Sequence, residues 1–194
     1  MRTTAEDVAL QKERIINKSI EVFMKKGYAQ TLLSDISSEI GITNGPLYYH
    51  YKNKLDLYST STEYYLKGQL EKIERIFHSK KGFYEKLEDD FLFFLEQGII
   101  AAGKYYMEIV DLAQTSERLY EAFLSYSTRL RDIKHNAVLK AMEDGELRPD
   151  ADPEEVLKVI YVLFEGLLYG YSPDSEKKDT VKILLNMLKL KYAP

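Results

Sequence analysis

The chain has 194 residues, 45% hydrophobic and 30% charged, so it can bury a sizeable core and still present a solvated surface. No uninterrupted apolar run approaches the roughly 18 residues of a membrane span, and the absence of Cys excludes disulfides and thiolate metal sites. The net charge of −4 argues at first against nucleic acid, but it is unevenly spread: residues 1–54 hold eight Lys/Arg and six Asp/Glu, residues 55–194 nineteen and twenty-five. A slightly basic head on an acidic body suits a chain that offers one end to phosphates. The first residues show no apolar core of a secretory signal, and a cytoplasmic location is expected.

Helical periodicity dominates and strand-like alternation is hard to find, which predicts an all-α fold of about nine helices. The first runs from about Glu6 to Lys26 on a stripe of Ile16, Ile20, Phe23 and Met24, and stops at Gly27. Two short helices follow, Leu33–Ile40 and Asn44–His50, then a long one from an Asn53 cap to about His78. Beyond Lys80-Lys81-Gly82 comes a helix with Phe83, Leu87, Phe91, Phe94 and Leu95, loosened at Gly98 and Gly103, and then a short helix over 104–114. Glu117–Asp144 is long and ends at Gly145. Asp152 caps the next helix, with Pro153 at its first position, and that helix runs to about Tyr171. After Ser172-Pro173-Asp174, a last helix covers about 175–191. The junction near residue 53 divides a head, 1–53, from a body, 54–194.

The chemistry concentrates in residues 31–51. Ile36 and Ile40 face one core, Gly41 supplies a residue free to take positive φ, and Thr43 can cap a second helix. Pro46 then falls in the first turn, where a missing N–H is harmless. Leu47 and Tyr51 return to the core. Short helix, Gly turn and second short helix make a helix-turn-helix layout, although a helical hairpin with core tyrosines has the same pattern. The outward residues suit DNA. Thr43 and Asn44 stand at a helix start, Gly45 permits close approach, and Tyr48, Tyr49 and His50 offer polar tips, with Lys52 and Lys54 flanking them. With no Arg or Gln in this helix, sequence choice would lean on Asn44, apolar contact from Pro46, the aromatic residues and DNA shape.

Residues 15–58 resemble the N-terminal domain of the TetR family of repressors. Phe23-Met24-Lys25-Lys26-Gly27-Tyr28 matches the family's Phe-x-x-x-Gly-Tyr, with Ile36 and Gly41 at the expected distances. Gly45-Pro46-Leu47-Tyr48-Tyr49-His50-Tyr51-Lys52-Asn53-Lys54-Leu55-Asp56-Leu57 is similar to its Gly-x-Leu-Tyr-x-x-Phe-x-x-Lys-x-x-Leu. The resemblance implies DNA contacts from Thr43, Asn44, Gly45, Pro46, Tyr48, Tyr49, His50 and Lys54. Three residues depart from the pattern. Leu32 replaces a capping Thr, so Thr31 or Ser34 is expected to cap instead, with Thr31 counted among the DNA-binding residues; Ser37 replaces Ala; Tyr51 replaces Phe.

In the body, the 153–171 helix carries an apolar stripe too wide for one face, including Val156, Ile160, Leu163, Leu167 and Tyr171. The last helix adds Val181, Leu184, Leu185 and Leu188. The pattern alone also fits an intramolecular core; the resemblance implies a homodimer through a four-helix bundle. Phe91, Phe94, Tyr105, Tyr106, Phe123, Tyr126, Tyr161 and Phe164 crowd the middle, where the family holds a small-molecule inducer. Ordinary aromatic packing explains the same residues. No metal spacing among His50, His78 and His135, no Gly-rich phosphate loop and no Cys argue against an enzyme, a metal or a cofactor. The reading is a homodimeric regulator, a repressor released from palindromic double-stranded DNA by an apolar or aromatic ligand. The rival is a helical small-molecule carrier without DNA binding, which would have no use for the head.

Overall fold

A computed structural model describes residues 5–96, 99–169 and 176–194. The fold is all-α, with nine helices and no strand among the described residues. In chain order they are α1 (Ala5–Lys26), α2 (Leu33–Ile40), α3 (Gly45–His50), α4 (Lys54–Phe77), α5 (Phe83–Glu96), α6 (Ile99–Ala113), α7 (Glu117–Glu143), α8 (Pro153–Tyr169) and α9 (Lys177–Tyr192). None is long and apolar enough to cross a membrane. The expected α6 start at residue 104 is corrected to Ile99. Gly103 lies inside the helix, because one Gly costs only about 1 kcal/mol there and the neighbouring residues carry it through. The expected end of α8 at Tyr171 and its Gly170 lie outside the described residues, as does Gly98.

Residues 1–69 and 101–125 form one compact unit; residues 70–100 and 126–194 form another. In the first, α1 packs against α2, and the buried stripes are Ile16, Ile20 and Phe23 on one and Ile36 and Ile40 on the other. Each such side chain contributes about 1.5–3 kcal/mol by leaving water. Leu47 and Tyr51 are the buried residues of α3 and its exit. Asn53 caps α4 as expected: its Oδ1 accepts the Asp56 N–H at 2.9 Å, and Asp56 accepts the Lys52 N–H at 3.0 Å.

In the second unit, α5 and α8 pack on α9 around a core that includes Phe83, Leu87, Phe91, Val138, Val156, Ile160, Val181 and Leu185. Asp152 caps α8, accepting the Glu154 N–H at 3.0 Å. Glu155 clamps the chain end, accepting from Lys191 at 2.6 Å and from the Tyr192 hydroxyl at 2.8 Å. These two donors hold its carboxyl below the ordinary range.

This core corrects the expected dimer stripe. Val156, Ile160, Leu167, Val181, Leu185 and Leu188 are all buried within the chain itself, with Leu163 and Leu184 partly buried against them. Tyr171 lies outside the described residues. Among the described residues, the apolar ones left exposed on α8 and α9 are others: Val162 at 65%, Ile183 at 59%, Met187 at 57% and Leu190 at 89%. A two-sided stripe shows that both faces are apolar, but not which one the chain's own core takes.

Candidate nucleic-acid interface

The face expected to read DNA is assembled from α2, its turn and α3. Gly41 ends α2 with φ 75°, and the turn closes through Gly41 N–H to Ser38 O at 3.1 Å and Ile42 N–H to Ser37 O at 3.0 Å. The Arg14 guanidinium covers the last carbonyl of α2, donating to Ile40 O at 2.7 Å. At the other end of α2 neither Thr31 nor Ser34 caps. Thr31 is fully buried and its hydroxyl donates back to Gly27 O at 2.7 Å. Leu32 holds the cap position, 62% exposed, and the Asp35 carboxylate accepts its N–H at 2.9 Å. That bond, aided by Lys26 at 3.1 Å, lowers the Asp35 pKa. Asp35 stands at the position from which an acid reaches back to a helix start, and that spacing was readable in the sequence.

The cap of α3 differs too. Its boundary residue is Asn44 rather than Thr43, and no side chain caps it. The Asn44 Oδ1 is engaged elsewhere, accepting from the Ser37 hydroxyl at 2.6 Å. Ser37 is buried, so the departure from Ala at this position supplies a tie between α2 and α3. Pro46 sits in the first turn, as expected. Beyond it Tyr48 is 61% and Tyr49 82% exposed, while Leu47 between them and the core is 1% exposed. Thr43, Asn44 and Gly45 are exposed and Pro46 and His50 half-buried, the His50 ring lying 4.9 Å from that of Tyr49. An open cleft lined by Thr31, Leu32, Leu33, Ser34, Asn44, Tyr48 and Lys54 separates the start of α2 from α3.

The loop before α2 is gripped from two sides. The Lys54 ammonium donates to Tyr28 O at 2.8 Å, Thr31 O at 3.0 Å and Ala29 O at 3.4 Å, and lies 4.4 Å from the centre of the Tyr28 ring. The Glu108 carboxylate of α6 accepts the Tyr28 N–H at 2.6 Å and the Tyr58 hydroxyl at 3.3 Å. Gly27 has φ 81°, and a Cβ there would stand 3.2 Å from Glu108 Oε1, so glycine serves both the turn and the close approach. In the sequence Glu108 stands out only as a polar group near an apolar stripe, expected to be solvated or salt-bridged; its partner across 80 residues of chain is not marked. Lys52 is exposed and carries no ion pair among the described residues. Two nearby acids are already engaged, Asp35 by Lys26 and Asp56 by Arg118 at 2.8 Å, which also holds Glu63, while Glu39 of α2 is exposed and has no ion pair among the described residues. Among the described residues the exposed face therefore offers hydroxyls, an amide and an imidazole beside the free Lys52 ammonium, with Asp35 and Asp56 already paired.

Residues 15–59 match the family described as "Bacterial regulatory proteins, tetR family". The HTH-type transcriptional regulator YerO of Bacillus subtilis is 30% identical over 84% of the chain, and the chain spans 66% of that relative's length. The chain belongs to the TetR family of regulators. The negative regulator IcaR of the biofilm operon icaADBC in Staphylococcus epidermidis is 27% identical, over 91% of the chain and 97% of that protein. In fold, the chain is similar to a transcriptional regulator from Saccharomonospora viridis crystallised with choline, with TM-score 0.78 and 16% identity over 96% of this chain and 99% of that one. The chain is thus a helix-turn-helix regulator of transcription.

The aromatic residues expected around an inducer fall into two groups. In the first unit, Tyr105 is buried against Tyr58 and Tyr65 and shares a hydrogen bond with Thr62 at 3.0 Å, while Tyr106 packs on Phe123 with ring centres 5.4 Å apart. Burial drives the Tyr105 and Tyr58 hydroxyl pKa values up, and that of Tyr65 to about 12. In the second unit, Phe164 stacks on Phe91 at 5.9 Å and meets Phe94 edge-on at 4.4 Å. Tyr161 joins this group through Lys134, whose ammonium lies 5.6 Å from its ring centre; Tyr126 is buried at the start of the α7 portion of this unit. No group of His, Asp or Glu among the described residues could hold a metal ion.

Proposed function

We propose that the chain is a homodimeric repressor that binds a palindromic duplex through the α2–α3 faces of two heads and leaves it when a small, largely apolar or aromatic ligand binds the body. Residues 1–53 serve as the DNA-binding domain and 54–194 as the regulatory domain. The observation that carries this reading is α3 itself, a six-residue helix with Leu47 and Tyr51 in the core and Tyr48 and Tyr49 turned out beside Thr43, Asn44 and Lys52. Large aromatic side chains held out in water on so short a helix have no packing purpose, and their polar tips suit phosphates and base edges. Thr43, Asn44, Gly45, Pro46, Tyr48, Tyr49, His50 and Lys52 form the contact surface; Thr31 and Lys54 hold it in place from within. The exposed Val162, Ile183, Met187 and Leu190 fit a second copy of the chain. The name of IcaR supports repression, and the choline complex of the structural relative supports a small-molecule effector.

Selection from random duplexes with purified protein is expected to yield an inverted repeat, bound with an affinity that falls steeply with salt. Tyr48→Ala is expected to weaken that binding without changing the melting temperature. Recovery of no sequence preference, or a monomer mass at micromolar concentration in sedimentation, sinks the proposal.

A further inference from the structure

The second unit contains a buried ion pair in unusual company. Asp90 on α5 is 0% exposed and Lys134 on α7 is 2% exposed, with the ammonium 2.7 Å from Asp90 Oδ2. A buried pair is tolerated when its remaining lone pairs and protons are satisfied. Here they are not. Asp90 Oδ1 has no hydrogen-bond partner. The ammonium has no hydrogen bond or second ion pair among the described residues; its other neighbours are aromatic faces, with ring centres 5.0 Å away at Phe164 and 5.6 Å away at Tyr161. Phe164 is in turn packed by Phe91 and Phe94. A carboxylate beside two ring faces is a receptor for a positive charge, because the rings present negative density to it and the carboxylate completes the neutralisation.

We infer that Asp90, Tyr161 and Phe164 form a binding site for an organic cation with apolar substituents, a site the chain fills with its own Lys134 ammonium. The inference rests on the reading of the body as a small-molecule sensor, and it names the charge of the ligand. The arrangement discriminates between ligand classes. An anion drawn to Lys134 would leave Asp90 buried without a counter-ion and would face the negative side of the rings, and both cost free energy. A cation keeps Asp90 paired, and its apolar groups cover Phe91, Phe94 and Phe164. Lys134 can yield, because a lysine carries its compact charge on a flexible four-carbon stem that withdraws along the helix surface toward water.

Two probe ions of equal shape and opposite charge, tetraphenylphosphonium and tetraphenylborate, test this by calorimetry on the full chain. The phosphonium is expected to bind and the borate to bind more weakly or not at all. Asp90→Asn is expected to weaken the phosphonium by about tenfold or more, the effect of losing one charged partner. Lys134→Met is expected to tighten it, since the internal competitor is gone. A purely structural ion pair gives the opposite sign, because Lys134→Met then leaves a buried charge unpaired. The double variant Asp90→Asn/Lys134→Met contains no buried charge, should fold by circular dichroism, and should bind the phosphonium no better than Asp90→Asn alone. Stronger borate binding, no phosphonium binding by the unmodified chain, indifference to Asp90→Asn, or loss of binding in a folded Lys134→Met overturns the inference. Duplex selection on the same preparation separates the two readings: a chain that selects an operator but ignores the cation loses only this one, and a chain that binds the cation but selects no duplex loses only the regulator.

Discussion

The head and the C-terminal helices are both helical, yet different forces hold them. Around α2 and α3 the geometry is set by directional bonds: Ser37 to Asn44, Arg14 to Ile40 O, Lys54 to three carbonyls and Glu108 to the Tyr28 N–H. A six-residue helix such as α3 has no stability of its own, so these bonds and the buried Leu47 place it. In α8 and α9 apolar packing does most of the work, and hydrogen bonds appear chiefly at the ends, at Asp152 and Glu155. Directional bonds fix a position; apolar burial is non-directional and fixes only an inside. The first suits a surface that must match a duplex, the second a helix pair with an apolar outer face still to cover.

The inner and outer stripes of α9 should respond differently when each is cut. Leu185→Ala, in the core, is expected to cost about 2–5 kcal/mol, read as a lower denaturant midpoint at every protein concentration. Met187→Glu, two residues on and 57% exposed, should leave the fold of a single chain within about 0.5 kcal/mol and shift sedimentation toward monomer. An equal loss of stability in both variants would mean that the division into inner and outer stripes is wrong.

That division was the least legible part of the sequence. The positions of α1 to α4 and of α7, and the start of α5, could be read within a residue or so, because Gly27, Gly41, Asn53, Gly82 and Gly145 punctuate the periodicity; the end of α5 at Glu96 could not. The caps of α2 and α3 could not, because several polar residues competed for each role. Thr31 turned its hydroxyl to Gly27 O, Asp35 took the cap of α2, and Asn44 was drawn to Ser37. Periodicity gave the apolar residues of α8 and α9 but not which side faces inward, since the exposed Val162 is as apolar as the buried Val156 and Ile160. Partners far apart in sequence, Tyr28 with Glu108 and Asp90 with Lys134, left no trace, because nothing local requires an acid or a base at those positions.

Lys54 belongs to the directional bonds of the head. The sequence pattern points to a phosphate contact, whereas the ammonium is engaged by the carbonyls of Tyr28, Ala29 and Thr31. Lys54→Met is expected to lower head stability by about 1.5–3 kcal/mol, the worth of hydrogen bonds to a charged group, and to weaken operator binding. The dependence of that binding on salt should keep its slope, because no counterion-releasing contact is lost. Lys52→Met is expected to do the reverse, leaving stability unchanged and reducing the slope by about one. A reduced slope in Lys54→Met would return this residue to the phosphate contacts.

Tyr51 tests the packed side of the same head with the smallest effect. Its ring is 3% exposed, and its hydroxyl is buried without a hydrogen-bond partner where the family pattern has Phe. An unmet buried hydroxyl is a cost, so Tyr51→Phe is expected to stabilise the chain by about 1 kcal/mol at neutral pH. Burial, reinforced by the nearby Asp56, also raises the Tyr51 pKa from 10.0 to about 12. Between these values the unfolded chain has released the phenol proton and the folded chain has kept it, so the folded state binds more protons and stability falls as pH rises. The stability linked to this proton is fully present below pH 10 and is lost through pH 12. Tyr51→Phe should therefore melt higher than the unmodified chain at pH 7 and widen its lead above pH 10. A lead that stays constant across that range would show that the Tyr51 hydroxyl titrates as it does in water, and hence that the inner face of α3 is open to solvent.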